Sequence, residues 1–294
     1  MSFTSAPAGL GINIGHDASV SDSTPAATKE AMIHQQCSLI QGLGINKVRI
    51  NMPNFLTQNQ NVNFRNALFN FGNIAHNTYG VYVIMGYEAA PLTAANAANF
   101  KTQMRAGAVM AASYGIDEWT VGNEEDLFST LSATDLRTTI QDVCQTIKVT
   151  DSFPGTVSTA ITTNVYDSQW KGDVGNWSAY MKLNLHIYGI YNNAHFNSYA
   201  DRVVGELGAD NVYCGEFGVD GGRTNFANDE TWVKEIKRRM QRLQNKGWQS
   251  YYYFAYSVFD SSNDIWSAFR YTDQTHTTLL WELTNSRRNQ QNYV

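Results

Sequence analysis

The chain alternates from one end to the other between short apolar runs of strand character and longer segments with helical spacing. The strand candidates cover residues 10–14, 47–52, 81–85, 118–121, 156–161, 183–188, 212–216 and 251–256. Strands separated by helices at this spacing predict a parallel sheet with right-handed crossovers. Eight such units predict closure of the sheet. The predicted fold class is therefore α/β, a single (β/α)8 TIM barrel that forms one catalytic domain over residues 1–294.

An open, doubly wound sheet is the alternative with the same alternation. Such a sheet has a glycine-rich phosphate-binding turn directly after an early strand. Here Gly9 and Gly11 lie at the start of the first strand candidate instead. The glycine positions therefore favour the closed barrel.

The composition limits the possible partners. Charged residues make up 16% of the chain, below the share of about 25% that is usual for soluble proteins. Asn, Gln, Ser, Thr and Tyr supply the polarity instead, which favours an extracellular, carbohydrate-handling protein. The net charge is −5 with no basic run, which argues against nucleic acid. Residues 1–10 lack the features of a signal peptide. No apolar run reaches the roughly 20 residues of a membrane span, so we expect no membrane partner. We also expect a monomer.

The three cysteines, Cys37, Cys144 and Cys214, are far apart in sequence. The first two lie in helical patterns and the third in a strand candidate. We predict buried free thiols, with at most one pair bridged. No Cys or His pair has the spacing of zinc ligands, so we expect neither a metal nor a cofactor.

Two carboxylates follow strand candidates. Glu124 comes directly after an amide side chain at the end of the fourth strand, and Glu216 ends the seventh. In a parallel barrel all strands end on the same face, where the active site lies. Glycoside hydrolysis needs two such groups, one to protonate the leaving oxygen and one to attack the sugar. We therefore predict Glu124 and Glu216 as catalytic, and interpret Glu125 and Asp126 as carboxylates at the start of a helix.

Other polar and aromatic side chains lie near the ends of the strand candidates or in the loops after them. Asn13 and Tyr87 belong to this group, and Tyr271 is a candidate platform for stacking on sugars. The residues predicted to bind substrate are Arg49, Asn51, Asn123, His186, Tyr188, Tyr256, Trp266 and His16.

With these motifs the chain resembles clan A glycoside hydrolases, a clan of barrel enzymes that includes cellulases, mannanases and β-1,3-glucanases. The resemblance covers the whole chain as topology. As sequence it depends on Gly122-Asn123-Glu124, on Glu216, on Arg49, and on His186 followed two positions later by Tyr188.

The resemblance implies a role for each of these side chains. Glu124 would be the acid/base and Glu216 the nucleophile. Asn123 would bond the 2-hydroxyl of the sugar, and His186 would orient the acid/base or line the subsite. Tyr188 would donate to the nucleophile, and Arg49 would lie beneath it and keep it ionised.

The resemblance also implies the activity. We expect a retaining, endo-acting hydrolase of β-linked polysaccharide, and therefore a polysaccharide or oligosaccharide as the partner. The sequence Gly122-Asn123-Glu124 without a following proline is similar to β-1,3-glucanases, so β-1,3-glucan comes slightly ahead of β-1,4-glucan. Mannan and a microbial exopolysaccharide remain alternative substrates. A catalytically silent carbohydrate-binding barrel is the alternative function.

Overall fold

The computed structural model describes residues 9–14, 26–42, 44–52, 62–88, 91–190, 194–219, 225–256, 269–270 and 275–276. Eight parallel strands in these ranges close into a barrel in which each strand pairs with its neighbours in sequence and the last pairs with the first. The strands are β1 (Gly9–Ile14), β2 (Lys47–Met52), β3 (Tyr82–Tyr87), β4 (Glu118–Asn123), β5 (Thr156–Thr162), β6 (Lys182–Ile187), β7 (Val212–Phe217) and β8 (Ser250–Tyr256). The predicted (β/α)8 barrel is confirmed.

Helices follow the strands and cover the outside of the barrel. They are α1 (Ala26–Gly42), α2 (Val62–Tyr79), α3 (Ala97–Ser113), α4 (Glu125–Phe128), α5 (Ala133–Gln145), α6 (Thr163–Val165), α7 (Val174–Trp177), α8 (Ala194–Leu207) and α9 (Asp229–Asn245). A small antiparallel pair, β9 (Phe269–Arg270) and β10 (Thr275–His276), lies after the barrel strands and was not predicted.

The helical spacing in the sequence predicts helices over residues 93–114, 170–180 and 279–284, a helix start at residues 24–25 and a cap near Asn228 or Asp229. Several of these boundaries shift in the structure. Helix α3 begins after Asn96 rather than at Thr93, because these two residues hydrogen-bond each other in a turn before the helix. The irregular helix predicted over residues 170–180 begins earlier, with a π-helical turn over Tyr166–Trp170. Asn228 caps α9 as predicted, because its side chain accepts from the backbone of Thr231. The predicted helix start at residues 24–25 and the last helix, over residues 279–284, lie outside the described residues.

The described apolar side chains form one cluster between barrel and helices and a smaller one inside the barrel. The inner cluster consists of Tyr82, Ile84, Tyr213 and Tyr252. Two of its hydroxyl groups donate to the buried carboxylate of Glu118, Tyr82 over 3.0 Å and Tyr213 over 2.5 Å. The two hydrogen bonds offset the cost of burying this polar group inside the barrel.

Helix α3 lies unusually close to the barrel where it passes Trp119 of β4. Gly107 faces the indole ring, and a Cβ at that position would lie 2.5 Å from Cη2 of Trp119. Both residues are buried. The missing side chain is therefore what allows the helix to approach β4, the strand that leads to Glu124.

The cysteines follow the sequence prediction. Cys37, Cys144 and Cys214 are free and buried. Burial raises the pKa of the Cys37 thiol to about 12, so this side chain stays protonated and behaves as a small apolar group. Among the described helices, none combines the length and the apolar character needed to cross a membrane.

The close approach of α3 gives a stability prediction with an internal control. Gly107→Ala should lower the free energy of unfolding by about 1–3 kcal/mol, because the new methyl group overlaps Trp119. Gly205→Ala in α8 meets nothing within 4 Å and should raise it by up to about 1 kcal/mol through helix propensity. Urea unfolding of both variants measures the contrast. Equal effects of the two substitutions would contradict the close packing.

Candidate active site

The end of β4 turns sharply to present Glu124. Gly122 has a φ of +76°, and Glu124 itself adopts a left-handed conformation with φ 60° and ψ 32°. The Glu124 N–H donates to the carbonyl of Ala160 on β5 over 3.0 Å. This conformation is strained for a residue other than glycine, and strained residues are concentrated at functional sites. The turn moves the Glu124 side chain out of the strand pattern and over the barrel mouth.

Glu124 contacts His186 of β6. The Nδ1 atom of His186 lies 2.6 Å from Oε1 of Glu124 and 3.6 Å from Oε2 of Glu216. The His186 side chain has no exposed surface, whereas that of Glu124 is 21% exposed. His186 therefore lies beneath both carboxylates, and Glu124 retains access to solvent.

Glu216 of β7 is held by two donors. Arg49 of β2 bonds Oε1, and the Tyr188 hydroxyl donates to Oε2 over 2.6 Å. The Glu216 side chain is 7% exposed. Each carboxylate oxygen thus has a hydrogen-bond donor in a site largely closed to water, an arrangement that favours the ionised form.

The electrostatics of Glu216 follow from these contacts. Burial alone would raise the pKa of its carboxyl group. The charges of His186 and Arg49, together with the hydrogen bonds from Tyr188 and Arg49, outweigh burial and lower this pKa below its usual value. Glu216 is therefore a carboxylate at neutral pH, the state that a nucleophile requires.

Arg49 is itself fixed from two sides. Its guanidinium donates to Oδ1 of Asn13 over 2.9 Å and to Oδ1 of Asn123 over 2.5 Å. Asn13 also donates from Nδ2 to the carbonyl of Gly215 over 2.9 Å. Arg49 therefore connects four strands, β1, β2, β4 and β7, at the mouth of the barrel, with Asn123 oriented so that its amide NH2 group points away from the guanidinium.

The two carboxylates that follow Glu124 make local contacts of their own. Glu125 is buried, with its carboxyl group against the backbone of Gly122. Asp126 accepts from the backbone N–H and the hydroxyl of Thr162 at the end of β5. Both lie in the first turn of α4 as the sequence predicts, but Asp126 also fixes that turn to β5. The role of Thr162 was not predicted, because its chemistry is ordinary for a strand.

The remaining predicted residues divide into three groups. Asn51 is half-buried in β2, two positions after Arg49 and therefore on the same face. The backbone of Tyr256 pairs with Ile14 in the barrel, but its side chain lies outside the described part of the structure. His16, Trp266 and Tyr271 also lie outside the described residues.

Tyr87 corrects one expectation. It was grouped with the polar side chains near the strand ends, but its ring packs edge-on against Trp119 at a centroid distance of 5.5 Å. A Cβ at Gly107 of α3 would lie 3.1 Å from the same ring. Tyr87 therefore faces the helices and belongs to the core.

Glu124, His186 and Glu216 are also close enough to suggest a metal. One ligand atom from each residue lies within 4.8 Å of the others. However, the Arg49 guanidinium bonds Glu216 directly and contributes a positive charge where a cation would bind. The hydrogen bonds among these side chains account for the arrangement, and a bound cation is not needed to explain it.

Comparison with known proteins gives the fold. No protein-family model and no curated protein sequence matches the chain. A GH113 β-1,4-mannanase covers 96% of this chain and 100% of its own, with 12% identity and a TM-score of 0.66. A glycoside hydrolase family 5 enzyme from Prevotella bryantii covers 97% and 99%, with 14% identity and a TM-score of 0.63. A GH5_18 enzyme from Bifidobacterium longum, solved with Manβ1-4GlcNAc, covers 96% and 78%, with 11% identity and a TM-score of 0.72.

These likenesses confirm the predicted resemblance at the level of the fold. The chain has the same barrel fold as structures described as a cellulase, a β-1,4-mannanase and a glycoside hydrolase family 5 enzyme, although its identity to each is low.

The lowered pKa of Glu216 predicts how stability depends on pH. Because the native pKa lies below the unfolded one, the carboxylate stabilises the fold above the unfolded pKa, and this contribution is lost as the pH falls through the native pKa. The difference in unfolding free energy between the wild type and Glu216→Gln should therefore shrink from neutral to acid pH. Urea unfolding across this range measures it.

Glu30→Gln serves as the control, because the Glu30 side chain is 60% exposed. Its difference from the wild type should stay nearly constant over the same range. A Glu216→Gln difference that is independent of pH would mean that the Glu216 carboxyl group is not held in its ionised form.

Proposed function

We propose that this chain is a retaining, endo-acting glycoside hydrolase that cleaves β-linked polysaccharide by double displacement. The observation that carries the proposal is the pairing of Glu124 and Glu216 at the ends of β4 and β7. An oxygen of one carboxyl group lies within 4.8 Å of an oxygen of the other. Retaining enzymes have carboxyl groups about 5–5.5 Å apart, whereas inverting enzymes leave about 6.5–9.5 Å for a water molecule.

In the first step the ionised Glu216 attacks the anomeric carbon of the sugar. Glu124 donates its proton to the glycosidic oxygen, the bond between that oxygen and the anomeric carbon breaks, and the leaving chain departs as an alcohol. The product is a glycosyl ester on Glu216. Arg49 and Tyr188, which bond the two oxygens of this carboxylate, aim it at the sugar, and Asn123 has an amide donor for the 2-hydroxyl.

In the second step Glu124 acts as a base. Its carboxylate removes a proton from water, and the resulting hydroxide attacks the anomeric carbon and releases Glu216 as a carboxylate. The greater exposure of Glu124, 21% against 7% for Glu216, is consistent with this role, because water must reach the acid/base but not the nucleophile. His186 at 2.6 Å orients Glu124 in both steps.

The substrate we propose is a neutral β-1,3- or β-1,4-glucan. The sequence motif around Glu124 is similar to β-1,3-glucanases, and the structural likeness to proteins described as cellulases and β-1,4-mannanases supports testing β-1,4-glucan and mannan beside it. A panel of these polysaccharides, with reducing sugar as the readout, identifies the substrate. A barrel that binds one of them without cleaving it would be the silent carbohydrate-binding alternative.

Removal of either carboxylate should abolish most turnover. We expect Glu124→Ala and Glu216→Ala each to lower kcat on the polysaccharide by about a thousandfold or more, with unchanged circular dichroism. Glu30→Ala, which removes an exposed carboxylate in α1, should retain normal activity. Turnover within a few-fold of the wild type in either active-site variant would refute the role of that residue.

Azide distinguishes the two roles. On a substrate with an activated leaving group, azide should restore turnover to Glu124→Ala and form a β-glycosyl azide, because a small anion can attack the glycosyl ester without a base. The Glu216→Ala variant has no ester to attack by this route. Rescue of Glu216→Ala alone, with retained configuration, would mean that the roles are exchanged.

Endo action predicts a particular time course. Cleavage in mid-chain should lower the viscosity of a long polymer rapidly while mixed oligosaccharides appear, because each early internal cut divides a long chain into two much shorter chains. Size-exclusion analysis of early samples measures this. Release of monosaccharide alone, with nearly constant viscosity, would indicate a pocket for chain ends and exclude endo action.

A further inference from the structure

Helix α9, on the outside of the barrel, carries a fully buried arginine. Arg239 has no exposed surface, and its acidic neighbour Glu235 is only 3% exposed. Placing a guanidinium in such a position is costly unless hydrogen bonds replace its contacts with water. The hydrogen bonds of Arg239 therefore identify the parts of the chain that its buried guanidinium holds together.

Most of these contacts are with the ends of two barrel strands. The Nη2 atom donates to the carbonyls of Gly189 and Ile190, each over 2.9 Å, and Nη1 donates to the carbonyl of Gly218. The Nε atom donates to Glu235 over 2.8 Å. The planar guanidinium fork thus joins the backbone after β6 to the backbone after β7, and Glu235 holds the fork in place.

The joined segments lead directly to the active site. Gly189 follows Tyr188, and Gly218 lies two residues after Glu216. The Tyr188 hydroxyl donates to Oε2 of Glu216 over 2.6 Å. A shift of either strand end would therefore change this hydrogen bond.

The strand ladder does not secure the two ends by itself. Its pairing is irregular between Leu185 and His186, and the last paired residues are Ile187 and Phe217. Gly189 has a φ of +148°, a conformation that turns the chain so that successive carbonyls face the same guanidinium. Beyond the last pair, the hydrogen bonds of Arg239 connect the two chain segments that the strand ladder no longer joins.

We infer that Arg239 is a positioning residue, which fixes the ends of β6 and β7 so that Tyr188 holds the carboxylate of Glu216 in its reactive orientation. The inference depends on the proposed function for the meaning of that orientation. Its physical core, a coupling from Arg239 through Tyr188 to Glu216, is measurable without turnover. Among the described residues, the titratable and charged side chains that interact with Glu216 are Arg49 from β2, Glu124 just after β4, His186 from β6, Tyr188 just after β6, and Cys214 from β7.

The test titrates Glu216 by NMR in protein labelled with 13C at the glutamate carboxyl carbons, with Glu216→Gln to assign the signal. Arg239→Lys keeps a positive charge beside Glu235 but lacks the planar fork that bonds three carbonyls and Glu235 at the same time. We expect its Glu216 midpoint to rise by about one pH unit, because the Tyr188 hydrogen bond to the ionised carboxylate is weakened. The acid limb of kcat/KM should rise by the same amount, with kcat about tenfold lower.

Arg238→Met is the matched control. Arg238 also bonds Glu235, over 2.7 Å, and Asn197, over 2.9 Å, so its removal disturbs the same acidic partner from a neighbouring position. The Glu216 midpoint should stay where it is in the wild type. An equal shift in Arg238→Met and Arg239→Lys would show a general loss of packing and overturn the inference.

A double variant decides whether the effect passes through Tyr188. In a Tyr188→Phe background, Arg239→Lys should shift the Glu216 midpoint no further, since the hydrogen bond is already absent. A full additional shift, or no shift in Arg239→Lys alone, would overturn the proposed coupling. If Arg239→Lys does not fold, Glu235→Gln replaces it: loss of the anchor should move the midpoint in the same direction, and an unchanged midpoint would refute the inference.

The two readouts separate this inference from the proposed function. Hydrolysis by the wild type with an unchanged midpoint in the variants would refute the role of Arg239 alone. A midpoint that shifts as expected in a protein that cleaves no polysaccharide would refute the hydrolase and leave the coupling as a structural fact.

Discussion

The ion pair between Arg49 and Glu216 is the interaction on which the barrel mouth depends. Both side chains are almost completely buried, and they come from strands that are not neighbours. A buried charge that loses its partner costs about 3–5 kcal/mol, so each of the two residues stabilises the fold only in the presence of the other. Through Asn13 and Asn123 the same guanidinium also fixes β1 and β4. Arg49 therefore sets the position of the Glu216 carboxylate and of the Asn123 amide, which directly precedes Glu124.

The two carboxylates differ because their surroundings differ. Glu216 has Arg49, Tyr188 and the charge of His186 around it, and these lower its pKa. Glu124 follows a strained turn, its side chain is partly exposed to solvent, and its Oε1 atom contacts His186. One fold thus places two identical functional groups in different surroundings, as the proposed division into nucleophile and acid/base requires. The hydrogen bonds of Arg239 connect the strand ends beside Glu216 to helix α9 on the outside of the barrel.

The sequence predicted the parts of this arrangement that follow from strand periodicity. Arg49 lies on one face of its strand because its neighbours Val48 and Ile50 are apolar, and the same alternation placed His186. Tyr87 was misplaced because β3 is apolar throughout, and a strand buried on both sides carries no alternation that assigns its faces. Only the structure shows that Tyr82 and Ile84 face inward and Tyr87 outward.

The role of Arg239 could not be predicted either, since α9 carries several charges and its sequence does not tell which of them is buried. The most direct test of the account is to trap the covalent intermediate. A 2-deoxy-2-fluoro glycoside of the substrate sugar should inactivate the wild-type protein, and peptide mapping by mass spectrometry should find one added sugar on Glu216. A label on Glu124, or hydrolysis with inverted configuration and no label at all, would contradict the assignment of Glu216 as the nucleophile.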